Sequence, residues 1–77
     1  MIIEDDATIS KIIKSHLSKW DFNVQCITDF RNIVKQVIPF EPHLTLLDIT
    51  LPFFNGFHWC SEIRKVSKLP VIFISSA

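Results

Sequence analysis

Short apolar runs and helix-spaced apolar stripes alternate along this chain. Met1, Ile2 and Ile3 form a first apolar run that ends in three acids, Glu4, Asp5 and Asp6. Ile9, Ile12, Ile13, Leu17 and Trp20 then recur at the spacing of one helix face, with Asp6 placed to cap the helix. Phe22, Val24 and Cys26 alternate with Asn23 and Gln25, the signature of a half-buried strand at a sheet edge over residues 22–27. Asp29 offers the next cap. Behind it Phe30, Ile33, Val34, Val37 and Ile38 form a second helical stripe, and Pro39 and Pro42 bracket a break. Residues 44–47 are more uniformly apolar, which predicts a central strand. Residues 51–55 form a loop containing Pro52. Phe57, Cys60, Ile63 and Val66 predict a third helix, with Gly56, the only glycine, meeting a backbone requirement at its start. Pro70 opens the last strand, Val71, Ile72, Phe73 and Ile74, apolar on both faces.

The predicted order is βαβαβαβ. Strands alternating with helices of this length imply right-handed crossovers and a parallel sheet covered on both faces. In such α/β sheets the reactive groups gather beyond the carboxyl ends of the strands, where the strand order reverses. Three strands end in polar residues: the first in Glu4, Asp5 and Asp6, the third in Asp48, the fourth in Ser75 and Ser76. A flavodoxin-like order of 2-1-3-4 makes those ends neighbours. Carboxylates crowded together repel unless a cation joins them. A hard divalent ion such as Mg²⁺ takes one or two carboxylates and fills its remaining positions with water and phosphate oxygens. An Asp carboxylate can itself accept a phosphoryl group as a nucleophile, and a nearby hydroxyl such as that of Ser75 can bond to the phosphate.

Composition narrows the field. Seventy-seven residues make one domain at most, with only about 60% of the unfolded surface buried and a thin stability margin. The formal net charge is zero, so this segment carries no electrostatic footprint for nucleic acid or an anionic membrane. No apolar run approaches the roughly 18 residues of a membrane span, and the start lacks the pattern of a signal peptide. Cys26 and Cys60 lie far apart in apolar segments and read as two reduced, buried thiols of a cytoplasmic protein. His16, His43 and His58 show no metal-ligand spacing. Phe53, Phe54 and Trp59 could form an apolar contact surface or pack around a helix; the pattern leaves both open.

The ordered set Ile2-Ile3-Glu4-Asp5-Asp6, Leu46-Leu47-Asp48-Ile49-Thr50-Leu51-Pro52, Asn55-Gly56-Phe57, Ile63-Arg64-Lys65 and Pro70-Val71-Ile72-Phe73-Ile74-Ser75 resembles the receiver domain of bacterial two-component response regulators. Its wording is most similar to receivers of winged-helix transcription regulators, and the Ile74-Ser75-Ser76-Ala77 ending is similar to the subgroup linked to antimicrobial-peptide resistance. The resemblance implies that Asp48 accepts a phosphoryl group from a sensor histidine kinase. It implies that Asp5 binds Mg²⁺ directly, that Asp48 and the backbone carbonyl of Thr50 are further ligands, and that Glu4 acts through water. Ser75 would be the switch hydroxyl, with Ser76 as the alternative. Such a protein is a signalling module and not an enzyme.

The chain departs from that pattern by ending after the fourth strand. The expectation is therefore the N-terminal part of a receiver, without the family's fifth strand, its site lysine or an output domain. Two other readings stay open: an inactive truncated receiver, and a phosphohydrolase of the haloacid dehalogenase type. The latter is disfavoured because Thr50 stands where its second acid would be. An apolar fourth strand at a sheet edge also predicts self-association into a dimer.

Overall fold

A computed structural model of the chain describes residues 1–27 and 29–75. In chain order its elements are β1 (Ile2–Ile3), α1 (Ala7–Ser18), α2 (Val34–Phe40), β2 (Thr45–Asp48), α3 (Gly56–Arg64) and β3 (Val71–Ile74). The strands form a parallel sheet in the order β1-β2-β3. On the far side of β1, Ile2 makes a single parallel bridge to Cys26, so the chain crosses the sheet in the 2-1-3-4 order of a flavodoxin-like fold. The predicted second strand is thus a correction: residues 22–27 contribute one bridge and no strand. β1 is only two residues long, and it offers that neighbour two hydrogen bonds, Ile2 N to Gln25 O at 2.8 Å and Ile27 N to Ile2 O at 3.0 Å.

The register sorts the side chains into two layers. Ile3, Leu47 and Phe73 lie in one row across the sheet, and Ile2, Leu46 and Ile72 in the next. Adjacent residues of a strand point to opposite faces. The Ile3–Leu47 face meets α2 and α3. There Met1, Ile27, Ile33, Val37, Trp59 and Ile63 close a buried core around Ile3 and Leu47. Thr45 Oγ1 and Trp59 Nε1 are buried without a hydrogen-bond partner, which costs about 1–3 kcal/mol for each such group. The opposite face carries α1 against β1. Its cover thins across the row: Ile2 is buried, Leu46 half-buried and Ile72 51% exposed. The sheet is therefore sealed over β1 and β2 on one face, where only Phe73 of β3 is 38% exposed, and is more thinly covered on the other.

The helices differ from their sequence outlines in instructive ways. Asp6 caps α1 as expected, accepting from Thr8 N at 2.9 Å and Ile9 N at 3.3 Å. The helix stops at Ser18, however, and Trp20 lies beyond it, 78% exposed. Asp29 is not the cap of α2: its Oδ1 accepts from Arg31 N at 3.0 Å in the preceding turn, and the N-cap is Ile33, which makes no side-chain cap bond. Pro39 sits inside α2 rather than at a break. The helix ends one residue later, where Glu41 turns left-handed at φ 52° and its N–H donates to the carbonyls of Val37 and Ile38. In α3 the inward side chains are Trp59 and Ile63, while Phe57 is exposed, and the expected Val66 lies beyond the helix end, also exposed. Cys26 and Cys60 are free thiols, half-buried rather than buried.

Candidate functional site

Three carboxylates meet beyond the carboxyl ends of β1 and β2. Glu4, Asp5 and Asp48 each offer an oxygen, and these oxygens lie within 4.8 Å of one another. Parallel strands with Ile3 opposite Leu47 bring the residues after them side by side. Asp48 is the last residue of β2 and is 0% exposed. Its Oδ1 accepts from Thr50 N at 3.3 Å, which folds the chain back over the strand end. Glu4 is buried, while Asp5 is exposed at the mouth.

Local bonds fix the acids in place. Glu4 Oε1 accepts from Asp6 N at 3.0 Å, and the buried Ser10 hydroxyl, one turn into α1, donates to the Glu4 carbonyl at 3.2 Å. The segment after Asp48 is tied at both ends: Ile49 N donates to Ile74 O at 3.1 Å, and Gly56 N donates to Ile49 O at 2.8 Å. Gly56 is required by close approach and not by its φ. A Cβ there would collide with the Asp48 carbonyl oxygen and come within 3.0 Å of Ile49 Cα. Asn55 caps α3, its Oδ1 accepting from His58 N at 2.9 Å.

The electrostatics are compatible with a bound cation. Burial raises the Glu4 carboxyl from its ordinary value near 4.5 to about 7; the Asp6 amide opposes the rise, and the neighbouring Asp5 and Asp48 carboxyls add to it. Glu4 Oε2 is buried with no hydrogen-bond partner. A buried carboxylate oxygen without a donor, facing two other carboxyls, is what a hard divalent cation satisfies. Oxygen-only donors of this kind fit Mg²⁺ and do not suggest zinc or copper.

The structure brings Glu4, Asp5 and Asp48 together as the sequence suggested. Thr50 is joined to the group through its amide. Ser75 follows directly after Ile74, the residue paired with Asp48, and is exposed. Ser76, the alternative hydroxyl, lies outside the described residues. Two supports went unnoticed in the sequence. Asn55, immediately before the glycine that opens a helix, carries a recognisable N-cap signal. Ser10 carries none, because its partner is a backbone carbonyl.

The segment between Asp48 and Gly56 also carries two exposed aromatic rings. Phe53 lies midway along the segment between Asp48 and Gly56 and is 66% exposed at φ 70°. That left-handed conformation costs a bulky residue about 1–2 kcal/mol. The Arg31 guanidinium stands 5.5 Å from the centre of its ring. Phe54, also exposed, stacks on His58 with ring centres 4.3 Å apart, and both rings meet Trp59 edge-on.

Known proteins resemble this chain in sequence and fold. The response regulator protein GraR of Staphylococcus aureus is 41% identical over 76 residues, which is 99% of this chain and 34% of GraR. The solved N-terminal domain of the nisin resistance regulator NsrR, described as a lantibiotic response regulator, superposes with a TM-score of 0.88 at 49% identity. The match takes in 99% of this chain and 64% of that one. The BeF3-activated N-terminal receiver domain of Klebsiella pneumoniae RstA superposes with a TM-score of 0.90 at 28% identity, over 99% of this chain and 65% of that domain. The chain thus spans about a third of the length of GraR and somewhat under two thirds of the solved domains. The profile of the response regulator receiver domain matches residues 1–77. With the sheet order, the acid cluster and these relatives in agreement, the chain belongs to the response regulator receiver domain family.

Proposed function

We propose that this chain acts as the phosphoacceptor part of a two-component signalling protein, with Asp48 taking a phosphoryl group from a sensor histidine kinase. The observation that carries the reading is the convergence of Glu4, Asp5 and Asp48 at the strand ends. Mg²⁺, held by Asp5, Asp48 and the Thr50 carbonyl with Glu4 reached through water, would shield the negative charge gathered where the phosphoryl group arrives. The chain's own residues set the geometry. The Thr50 amide orients one Asp48 oxygen and leaves the carboxylate fixed at the end of a paired strand. That oxygen forms the new P–O bond as the donor's P–N bond breaks, and the leaving nitrogen departs with the bond pair and takes a proton. Ser75, one residue past the Ile74 that pairs with Asp48, would donate its hydroxyl to a phosphoryl oxygen.

Several finer points belong to the same reading. The chain would be the N-terminal part of a receiver whose whole protein controls transcription from the cytoplasm. The named role of NsrR in nisin resistance supports a response to antimicrobial peptides. Among the described residues no helix is long and apolar enough to cross a membrane. Among the described residues, β3 has a strand partner only on its β2 side, and its apolar residues would let two copies of the 77-residue chain associate.

The test uses Mg²⁺ and phosphoramidate as donor. Wild type should become labelled through an acid-stable, base-labile linkage, whereas Asp48→Asn should not. Equal label in both would remove Asp48 from the reaction. Label in neither would favour an inactive fragment.

A further inference from the structure

We propose that the end of the sheet opposite the acids carries a second binding site, a pocket for a neutral, largely apolar molecule of the size of indole. The site is separate from Asp48 and stands whether or not Asp48 is phosphorylated.

The pocket lies where the parallel strands begin. Met1 and Leu44 precede β1 and β2, so the residues around them are at the pole away from Glu4 and Asp48. A cavity of about 210 Å³ opens there. Its walls are Leu17 in the last turn of α1, Phe22 and Val24 from the segment before the Cys26 bridge, Phe40 at the end of α2, Leu44, and Leu46 of β2. Separate pieces of chain thus enclose a volume, which a bare patch on a sheet does not have. Trp20, a large apolar side chain close by in sequence, does not fill it and is 78% exposed. Phe22 and Leu44 are also exposed, so two of the walls stay wet until something apolar covers them.

Size and lining select the occupant. Water held in a cavity needs two to four polar partners, and an engineered apolar cavity of about 150 Å³ stays dry and binds benzene. The present cavity, at about 210 Å³, has room for a second fused ring. It is smaller than the roughly 300 Å³ where sites for drug-sized ligands begin, which limits the occupant to a small molecule. No Asp, Glu, Lys or Arg side chain lines it, whereas cavities elsewhere in the chain are bordered by Lys35 or by Glu4, Asp5, Lys11 and Lys14. The Met1 ammonium at its edge is engaged by the Leu44 carbonyl at 3.1 Å. A charged ligand would lose its hydration against these walls, so a neutral one is favoured. Asn23 and His43 also border the cavity and supply the few polar groups that orient a ligand in an apolar pocket. An occupant touching both Val24 and Leu46 would tie residues 22–24, which belong to no strand, to the sheet. Binding to the folded state alone then raises stability with ligand concentration.

Indole is the probe. It is titrated into the isotope-labelled full chain and into Val24→Phe and Leu44→Phe, each of which puts a ring into the space, with thermal melts to show which variants fold. The expected result is saturable amide shifts centred on residues 22–24 and 44–46, with a Kd at or below about 1 mM, and a Tm that rises with indole. Binding should weaken at least about tenfold in a folded ring-bearing variant, and Ile72→Ser, which alters an uncovered apolar residue outside the pocket, should bind as wild type does. Absence of saturable shifts in wild type overturns the site. Shifts centred on Ile72 or Trp20, or undiminished binding in a folded ring-bearing variant, overturn it as well, because indole is then adsorbing to exposed apolar surface.

Discussion

The two faces of the sheet are built from similar residues and reach different ends. On one, Ile3 and Leu47 are sealed beneath α2 and α3, with Ile33, Val37, Trp59 and Ile63 buried around them. On the other, α1 covers Ile2 but leaves Ile72 and its own Ile12 exposed, at 51% and 54%. Asp48 sits between these regimes. Its side chain shares the α1 side with Leu46, yet the backbone that holds it is locked from the closed side by Gly56 at the start of α3. The lesson is that the site's rigidity comes from the face packed beneath α2 and α3, while the α1 face leaves apolar side chains uncovered.

Changes on the closed face should have the largest effect. Ile63→Ala removes a fully buried side chain and should cost about 2–5 kcal/mol, enough to unfold much of so small a domain, as read by chemical denaturation. A small effect would mean that the core is looser than described. Gly56→Ala comes next. The added methyl meets the Asp48 carbonyl, and relieving that overlap should cost about 1–3 kcal/mol. It should also displace the segment carrying Thr50 and weaken Mg²⁺ binding, measured by titration calorimetry. A stable variant with native metal affinity would contradict the close approach.

The acid site itself gives a pH signature. Glu4 has a folded value of about 7 against about 4.5 when free, so the folded state binds this proton more tightly than the unfolded chain does. Its contribution to stability is full below the unfolded value and is lost as pH rises through about 7. Without divalent cation, wild type should therefore gain stability relative to Glu4→Gln as pH falls from about 7 to about 4.5. Thermal melts of the pair over that range supply the check, and parallel curves would remove the buried acid from the account. Ile72→Ser, on the open face, should have the smallest effect on the folding of one chain, within about 0.5 kcal/mol as for exposed sites. It should nonetheless reduce self-association in sedimentation. A large loss of stability would show that this face is covered in the free chain.

The same contrast explains what the sequence disclosed. The apolar runs before Glu4 and Asp48 located β1 and β2, because a buried parallel strand leaves a continuous apolar signature; the run after Pro70 located β3 too, although its Ile72 and Phe73 are exposed. They also located the acid site, since strand ends determine which polar residues converge. The pattern of residues 22–27 misled because strand formation there depends on the length of β1, which local alternation does not report. The stripe of α1 was correct as periodicity, yet Ile12 and Trp20 are exposed, because periodicity does not state whether an opposing surface exists. Asp29 had the right chemistry for a cap, but its turn closes on Arg31 before α2 begins. The left-handed backbone of Phe53 left no trace in the sequence, since a residue type that disfavours a conformation cannot announce it.

The most direct test of the central claim is to map the phosphoryl group. The chain is treated with phosphoramidate and Mg²⁺, then reduced with borohydride, which converts an aspartyl phosphate to homoserine and releases phosphate. Peptide mass spectrometry should place homoserine at position 48 alone, and only in samples that contained Mg²⁺. Homoserine at Asp5 or another aspartate, or its formation at position 48 without divalent cation, would contradict the account.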